Sequence, residues 1–305
     1  MRFTASDFAA LFAVPALPAA CAQLAEAHDF NYDVPQGTAR DRIIRQVVEH
    51  IDSDKPSKVG EHRADIWESC WSDNLQKFVD GGYDPGKLVP DFIKPDQPVR
   101  LKQNYVVPRN PRFELDFFQV CRAQLFERFF SDAGSVYEFG CGSGFNLLAL
   151  AKQLPGKKLY GLDWSRSSNE TLTLIGGKLG LPIAGRHFDF FAPDAAMQLD
   201  PRSGVLTMCA LEQVGPRHER FVEFLLQKKP QVCVNMEPLL ELYEPDQLVD
   251  YLALRYHRKR GYLDGFLTSL RSHEAAGRIE ILDARRLYFG SIYHEAYSYV
   301  AWRPL

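Results

Sequence analysis

The sequence predicts an α/β fold in which a helical amino-terminal region precedes a parallel β-sheet with helices on both faces. Three observations favour this class. From Ser135 onward, apolar runs of strand length alternate with segments of helical periodicity. The first run leads into a glycine-rich turn, Gly140 to Gly144, and the second ends in the carboxylate Asp163. Before residue 134, apolar residues recur at helical spacing and prolines separate the segments.

Length and charge limit the classes of protein to consider. At 305 residues the chain exceeds one average domain, so we predict a helical region over 1–133 and an α/β domain over 134–305. The hydrophobic content of 46% is ordinary for a globular protein. A net charge of −3 gives no support for nucleic-acid binding, which needs a basic surface.

The cysteines and the first residues of the chain indicate where in the cell the protein is located. Six cysteines without a C-x-x-C pair indicate reduced thiols and a cytoplasmic protein, and they form no zinc motif. The apolar run from Phe8 to Ala22 is interrupted by Pro15 and Pro18, so we predict no signal peptide. No stretch of about 18 apolar residues occurs, so no membrane span is expected. We also expect no metal, because no metal-binding spacing is present.

Four helices are predicted in the first 80 residues. Thr4 and Asp7 form a capping-box pattern before an apolar run, and helices follow over 18–28 and 38–51. The fourth covers 64–79 and carries one broad apolar face. We predict that this face packs into the core, with contact to a ligand as the alternative. Its members are Ile66, Trp67, Cys70, Trp71, Leu75 and Phe78.

A long connection follows over residues 80–109. Its five prolines and Gly81-Gly82 exclude a regular element throughout, so we predict an irregular segment that could cover a site. Asn110-Pro111 then starts a helix that runs to about Phe130.

The α/β part is predicted to contain seven strands. Five alternate with helices and two close the chain. The strands cover 135–139, 158–162, 182–187, 204–209, 231–236, 278–284 and 293–302, and the helices cover 144–154, 168–179, 216–227 and 245–273.

The glycine turn predicts a ligand site. Glycines at alternate positions let the backbone turn sharply and approach a bound molecule, which a Cβ would prevent. Asp163 follows Gly144 by nineteen residues and ends the second strand. A carboxylate there is placed to accept hydrogen bonds from the two hydroxyls of a ribose.

The segment from Glu138 to Gly144, together with Asp163, resembles the cofactor signature of class I S-adenosylmethionine-dependent methyltransferases. The predicted strands are also similar to the Rossmann-like seven-stranded sheet of that family in number and order. The resemblance covers about 134–305 and implies S-adenosylmethionine as cofactor, with S-adenosylhomocysteine as product. It implies that Glu138 and the backbone of Gly140, Gly142 and Gly144 serve the methionine end, and that Asp163 serves the ribose. A nicotinamide-dependent enzyme is disfavoured, because the spacing is G-x-G-x-G rather than G-x-G-x-x-G.

The same resemblance implies further contacts with the cofactor. It places Trp164 beside the adenine, and Asp189 with Phe190 near the adenine amino group. Leu211, after the fourth strand, completes the predicted cofactor set. The alternatives are simple packing for Trp164 and a helix cap for Asp189.

Acids at the tips of the fourth and fifth strands are the catalytic candidates. Glu212 and Glu237 could take a proton from a hydroxyl acceptor. Glu212 could equally bind a cationic substrate or cap the next helix. For substrate binding we predict Gln213, Tyr105 and His257. His257 belongs to the charged run 256–260, which could meet an anion but is more typical of a solvated helix face.

The sequence therefore predicts methyl transfer to a small-molecule or sugar-type acceptor at oxygen, with residues 1–133 as an acceptor-binding cap. Three alternatives stay open. They are transfer to nitrogen or sulfur, an aminopropyl-type transferase on the same fold, and a non-catalytic protein that binds S-adenosylmethionine. The expected partner is a small molecule, and a homo-oligomer is neither required nor excluded.

Overall fold

The computed structural model describes every residue from Met1 to Leu305. The chain forms ten α-helices and eleven strands. The helices are α1 (Ala5–Leu11), α2 (Ala19–Ala27), α3 (Gly37–Asp52), α4 (Ala64–Asp80), α5 (Phe113–Phe130), α6 (Phe145–Gln153), α7 (Arg166–Leu179), α8 (Glu219–Lys228), α9 (Leu248–Arg260) and α10 (Phe266–Ala275). The strands are β1 (Tyr32–Asp33), β2 (Val99–Leu101), β3 (Asn104–Pro108), β4 (Ser135–Phe139), β5 (Lys158–Asp163), β6 (Ile183–His187), β7 (Ser203–Met208), β8 (Val232–Met236), β9 (Ile279–Arg285), β10 (Phe289–Gly290) and β11 (Tyr299–Pro304).

Seven strands form one sheet in the order β6-β5-β4-β7-β8-β11-β9. The first five run parallel, and β11 lies antiparallel between β8 and β9. This is the strand number and order of the class I methyltransferase sheet, so the predicted α/β, Rossmann-like fold is confirmed. The chain leaves β4 in one direction and returns to β7 on its other side. Ligands of open α/β sheets bind at such a switch point.

The hydrophobic core joins the amino-terminal region to the sheet. Phe8 and Phe117 lie in the same buried cluster as Val136 of β4 and Val234 of β8. The ring centroids of Phe8 and Phe117 are 4.6 Å apart. The predicted boundary near residue 134 therefore does not separate two hydrophobic cores.

Residues 1–133 contain strands as well as the predicted helices. A second sheet has the order β1-β3-β2-β10, so a strand from the carboxyl-terminal part completes it. The prediction of an irregular connection over 80–109 was wrong for β2 and β3. They are joined by Lys102 and Gln103, which both have positive φ, at 49° and 59°. A turn with this backbone conformation usually contains Asn-Gly or Asp-Gly, whereas this one contains no glycine.

Two other predicted helix boundaries differ from the structure. The single helix over 245–273 is two helices, because Gly261 ends α9 in a left-handed conformation and Gly265 adopts another before α10. The helix expected from Asn110 begins at Phe113. Just before it, the Asn110 side chain accepts a hydrogen bond from the Arg112 amide. The capping box of α1 is confirmed, since Thr4 and Asp7 each bond the other's backbone amide.

Neither a helix suited to crossing a membrane nor a cluster of metal-binding side chains occurs in the chain. No helix combines sufficient length with sufficient apolar character to span a bilayer. No three His, Cys, Asp or Glu side chains are grouped as ligands for a metal ion.

A buried ionic network connects the small sheet to the carboxyl-terminal part. The Arg100 side chain on β2 is fully buried and donates to the Asp250 carboxylate at 2.8 Å and to the Val249 carbonyl at 2.6 Å. Arg286 donates to the same Asp250 at 2.6 Å and to Glu295 at 2.7 Å. Removing one member of such a network leaves a buried charge without its partner.

We expect Arg100→Met to lower the free energy of unfolding by about 3–5 kcal/mol, the usual loss when one partner of a buried ion pair is removed. Arg109→Met is the matched control, because Arg109 also lies near the small sheet and pairs with Asp33 on the surface. Chemical denaturation followed by circular dichroism measures both. Equal losses in the two variants would contradict a structural role for the Arg100 network.

Candidate functional site

A cavity of about 820 Å³, counting its open mouth, lies at the carboxyl ends of β4, β5 and β7. One wall is the glycine turn, a second is the set of strand tips, and the third comes from the covering segment, residues 60–92. Eight aromatic side chains line it: Trp67, Trp71, Phe92, Phe145, Trp164, Phe188, Phe190 and Phe191.

The three glycines of the turn have different roles. All adopt left-handed φ angles, 72° at Gly140, 51° at Gly142 and 73° at Gly144. Gly140 and Gly142 line the cavity, and a Cβ on Gly142 would lie 2.5 Å from the Trp71 indole. Gly144 lies off the wall, where a Cβ would lie 2.6 Å from Leu172 of α7. Gly142 is therefore covered by the Trp71 indole, which itself lines the cavity.

Asp163 lies on the cavity wall and stabilises the turn. Its carboxylate accepts from the Gly142 amide at 3.0 Å and from the Ser165 amide at 2.8 Å. Burial raises the pKa of Asp163 to about 6, although both hydrogen bonds oppose this shift. A carboxylate has about four acceptor sites, so two protein bonds leave capacity for hydroxyl donors.

Glu138 lies beneath the wall and acts through Asn146. One of its oxygens accepts from the Asn146 amide at 2.7 Å, and the other has no partner. Asn146 lines the cavity and also accepts from the Arg122 guanidinium at 2.8 Å. Burial raises the pKa of Glu138 to about 8. Sequence reasoning missed Asn146, although its place in the first turn of the helix after the glycines was a usable signal.

The remaining predicted cofactor residues divide into two groups. Trp164 and Phe190 line the cavity. Asp189 does not, because its carboxylate accepts from the Phe191 amide at 2.8 Å and shapes a turn. Leu211 is fully buried behind the wall.

Glu237 lies under the turn that follows β7. It is fully buried and accepts from the backbone amides of Ala210 and Leu211, both at 3.1 Å, and of Glu212 at 3.2 Å. Burial raises its pKa to about 7 against these bonds. Its contacts position the 3₁₀ turn Leu211–Val214, and its side chain does not reach the cavity wall.

Glu212 does not line the cavity, but it lies next to Gln213, which does, and it has a carboxyl oxygen without a partner. Its Oε1 accepts from Gln213 at 2.8 Å, its Oε2 has no partner, and the residue is 7% exposed. Gln213 itself lines the cavity. Burial, followed by the nearby charge of Glu237, raises the pKa of Glu212 to about 8. Burial therefore favours the protonated form of this carboxyl group.

Tyr105 and His257 are buried and do not line the cavity. The rings of His257 and His294 are 5.0 Å apart. The Tyr105 hydroxyl and both His257 nitrogens have no hydrogen-bond partner. The interpretation of 256–260 as a solvated face holds for Arg258, but Tyr256, His257 and Arg260 are buried.

The apolar face of α4 contacts the cavity rather than the core, so our prediction for it was wrong. Of its six residues only Phe78 is fully buried, while Ile66 is 47% exposed. Trp67 and Trp71 stack at 5.7 Å and line the cavity. Periodicity alone could not separate a core face from a ligand-facing one.

Two contacts fix the covering segment in place. Glu68 of α4 accepts from the Ser165 hydroxyl at 2.6 Å and from the Arg166 amide at 2.8 Å, and it also bonds Ser167 at the amino end of α7. Burial alone would raise the pKa of Glu68, but these hydrogen bonds lower it. The Ser143 hydroxyl in the glycine turn donates to the Leu88 carbonyl at 2.7 Å.

The comparisons with known proteins are structural. No protein-family model matches the chain, and no curated protein matches it. The magnesium protoporphyrin IX methyltransferase of Synechocystis PCC 6803, with S-adenosylhomocysteine bound, is 12% identical over 60% of this chain and 79% of its own, with a TM-score of 0.45. An O-methyltransferase from neocarzinostatin biosynthesis, bound to S-adenosylhomocysteine and a dihydroxynaphthoic acid, is 16% identical over 80% of this chain and 70% of its own, with a TM-score of 0.46. Because these similarities are low, the fold assignment rests on the order of the strands in the sheet and not on the similar structures.

We expect Glu68→Ala to lower the free energy of unfolding by about 0.5–2 kcal/mol, because the amino end of α7 loses its carboxylate cap. Asp73→Ala is the control, since Asp73 is an exposed acid on the same helix. Urea denaturation gives both values. A loss no larger than that of the control would contradict the capping role.

Proposed function

We propose that the protein is an S-adenosylmethionine-dependent methyltransferase that acts on a small molecule at an oxygen atom. The observation that carries the proposal is the wall formed by Gly140, Gly142 and Asp163 at the switch point of a class I sheet. In that sheet the first strand and its glycine turn form the natural ligand crevice.

The residues present fit this cofactor. Gly142 has no Cβ to obstruct a ligand, and Asp163 has acceptor capacity for ribose hydroxyls. The aromatic faces of Trp164 and Phe190 suit a purine ring. Asn146 and the unpartnered oxygen of Glu138 suit an amino group. When bound, S-adenosylmethionine supplies an electrophilic methyl group on a sulfonium.

Glu212 is the candidate that receives the acceptor's proton. Its unpartnered oxygen is on the turn whose neighbour Gln213 lines the cavity. A carboxylate with a pKa of about 8 can remove a hydroxyl proton once pH rises to that range. Glu237, with three amide donors, instead positions the turn.

The region before residue 134 serves as the acceptor-binding cap in this proposal. Trp67, Trp71, Pro90 and Phe92 from the covering segment form one cavity wall. An aromatic wall favours an acceptor with a flat or apolar face. We also propose a cytoplasmic location, which is supported by six cysteines that form no disulfide.

We expect Gly142→Leu to abolish binding of S-adenosylhomocysteine, because the new side chain would occupy the space at the turn. Gly177→Leu is the control, since Gly177 lies on α7 with open space around its Cβ position. Isothermal titration calorimetry on the folded variants measures the effect. Normal binding by a folded Gly142→Leu protein would refute the cofactor assignment.

We expect Glu212→Gln to bind S-adenosylhomocysteine normally and to lower turnover by about 10²–10⁴-fold, the usual contribution of a general base. Wild-type turnover should rise with pH through about 8, because the deprotonated carboxylate is the active form, and the variant should lose this rise. The measurement is release of S-adenosylhomocysteine with an acceptor found by screening, with the exposed Glu219→Gln as control.

A raised KM with little change in kcat would instead assign Glu212 to substrate binding. Near-normal turnover across the pH range would remove Glu212 from the reaction.

A further inference from the structure

Two arginines from distant parts of the chain converge beside Glu212. Arg63 ends the 3₁₀ turn Glu61–Arg63 before α4, and Arg260 is the last residue of α9. The Nη1 atom of Arg63 lies 3.2 Å from the Ser57 hydroxyl, and that of Arg260 lies 3.5 Å from the same oxygen. One hydroxyl therefore lies between two guanidinium groups.

Neither guanidinium is neutralised by an ion pair. Arg260 is only 9% exposed, and the Nε atoms of both arginines are buried without a hydrogen-bond partner. The other buried arginines of this region behave differently, since Arg100 and Arg286 pair with Asp250 and Glu295. Arg63 is partly exposed, whereas Arg260 is buried. A buried charge without a partner is costly, so the unpaired Arg260 calls for a ligand of opposite sign.

The surroundings do not supply that opposite charge. Burial, followed by the charge of Arg260, lowers the pKa of Arg63. Burial, followed by Lys55 and Arg260, likewise lowers the pKa of His50. Glu61, which begins the same turn as Arg63, is paired with Arg217 at 3.2 Å. The charges of both arginines lower the pKa of Glu212 against the effect of burial, but neither arginine forms an ion pair with it, since its Oε1 accepts from Gln213 and its Oε2 has no partner.

We propose that Arg63 and Arg260 bind an anionic group, a carboxylate or a phosphate, carried by the methyl acceptor. This inference rests on the proposed function and names the acceptor class. Guanidinium groups bind both anions through paired N–H donors. Two of them around one hydroxyl provide several converging donors.

Arg63 lies beside the cavity wall, although neither arginine lines the cavity itself. The Arg63 guanidinium is 5.6 Å from the ring centroid of Trp67, which lines the cavity. Gly60, three residues before Arg63, lines it as well. The Arg260 guanidinium lies 4.8 Å from the ring centroid of Tyr262. An anion bound here would orient the rest of the acceptor toward Glu212 and Gln213.

The test is calorimetric titration of the full chain with inorganic phosphate and, separately, with acetate, at constant ionic strength set by sodium chloride. We expect saturable binding of one anion per chain and at least a tenfold weaker affinity in Arg260→Gln. Arg258→Gln is the matched control, because Arg258 is exposed on the same helical turn. It should bind like the wild type. A preference for phosphate or acetate distinguishes a phosphate-bearing acceptor from a carboxylate.

Two further variants show whether a loss of anion binding is due to misfolding. Arg63→Gln alters the more exposed partner and should weaken binding as well, whereas Arg260→Lys keeps the charge and should restore part of the affinity. Absence of anion binding by the wild type, or equal affinity in wild type and both glutamine variants, would overturn the proposal.

Titration of the same proteins with S-adenosylhomocysteine separates this inference from the proposed function. Cofactor binding that persists in Arg260→Gln while phosphate binding is lost supports both. If the wild type binds the anion but not the cofactor, the proposed methyltransferase function is wrong. The anion site then has no role in binding a methyl acceptor. Cofactor binding without anion binding would reject the anion site alone.

Discussion

The two hydrogen bonds that Asp163 accepts from the Gly142 and Ser165 amides connect the parts of the site to one another. One carboxylate at the tip of β5 thereby fixes the turn after β4 and the start of α7. Glu237 does the same on the other side of the sheet, where three amides of the turn after β7 donate to it. Backbone amides at strand tips have no partner in the sheet, and a buried one without a partner is costly. Two acids, Asp163 at the end of β5 and Glu237 after β8, satisfy these donors.

Burial of these carboxyl groups has an electrostatic cost that shapes the site. Burial raises the pKa of Glu138, Asp163, Glu212 and Glu237 alike. Their roles differ because their partners differ. Asp163 and Glu237 accept backbone hydrogen bonds that position the turns. Asp163 also keeps acceptor capacity at the cavity wall, and Glu138 and Glu212 each retain an oxygen without a partner. Free acceptor capacity, rather than residue type, separates Glu237 from the other three acids.

The covering segment shows how an added region completes a common fold. The sheet provides the glycine turn and the strand tips, which many proteins of this architecture share. The region before residue 134 adds Trp67 and Trp71 over the turn, and Arg63 at the edge of the cavity. Its attachment depends on Glu68 at the amino end of α7 and on the buried charges around Arg100. On a shared fold, function lies in such local sites rather than in the fold itself.

The sequence by itself determined the alternation of strands and helices from Ser135, the glycine turn and the place of Asp163. The turn and Asp163 arise within one strand–turn–helix–strand unit. There the periodicity, the glycines and the terminal acid act over fewer than thirty residues. Only the tertiary structure decided which polar residues face the cavity. Glu212 and Glu237 are both acids at strand tips in the sequence, yet the amides that occupy Glu237 lie 25 to 27 positions away. Glu68 contacts a serine 97 positions along the chain, and Arg260 contacts one 203 positions away. Contacts over such separations depend on how the whole chain packs, and local residue patterns do not specify them.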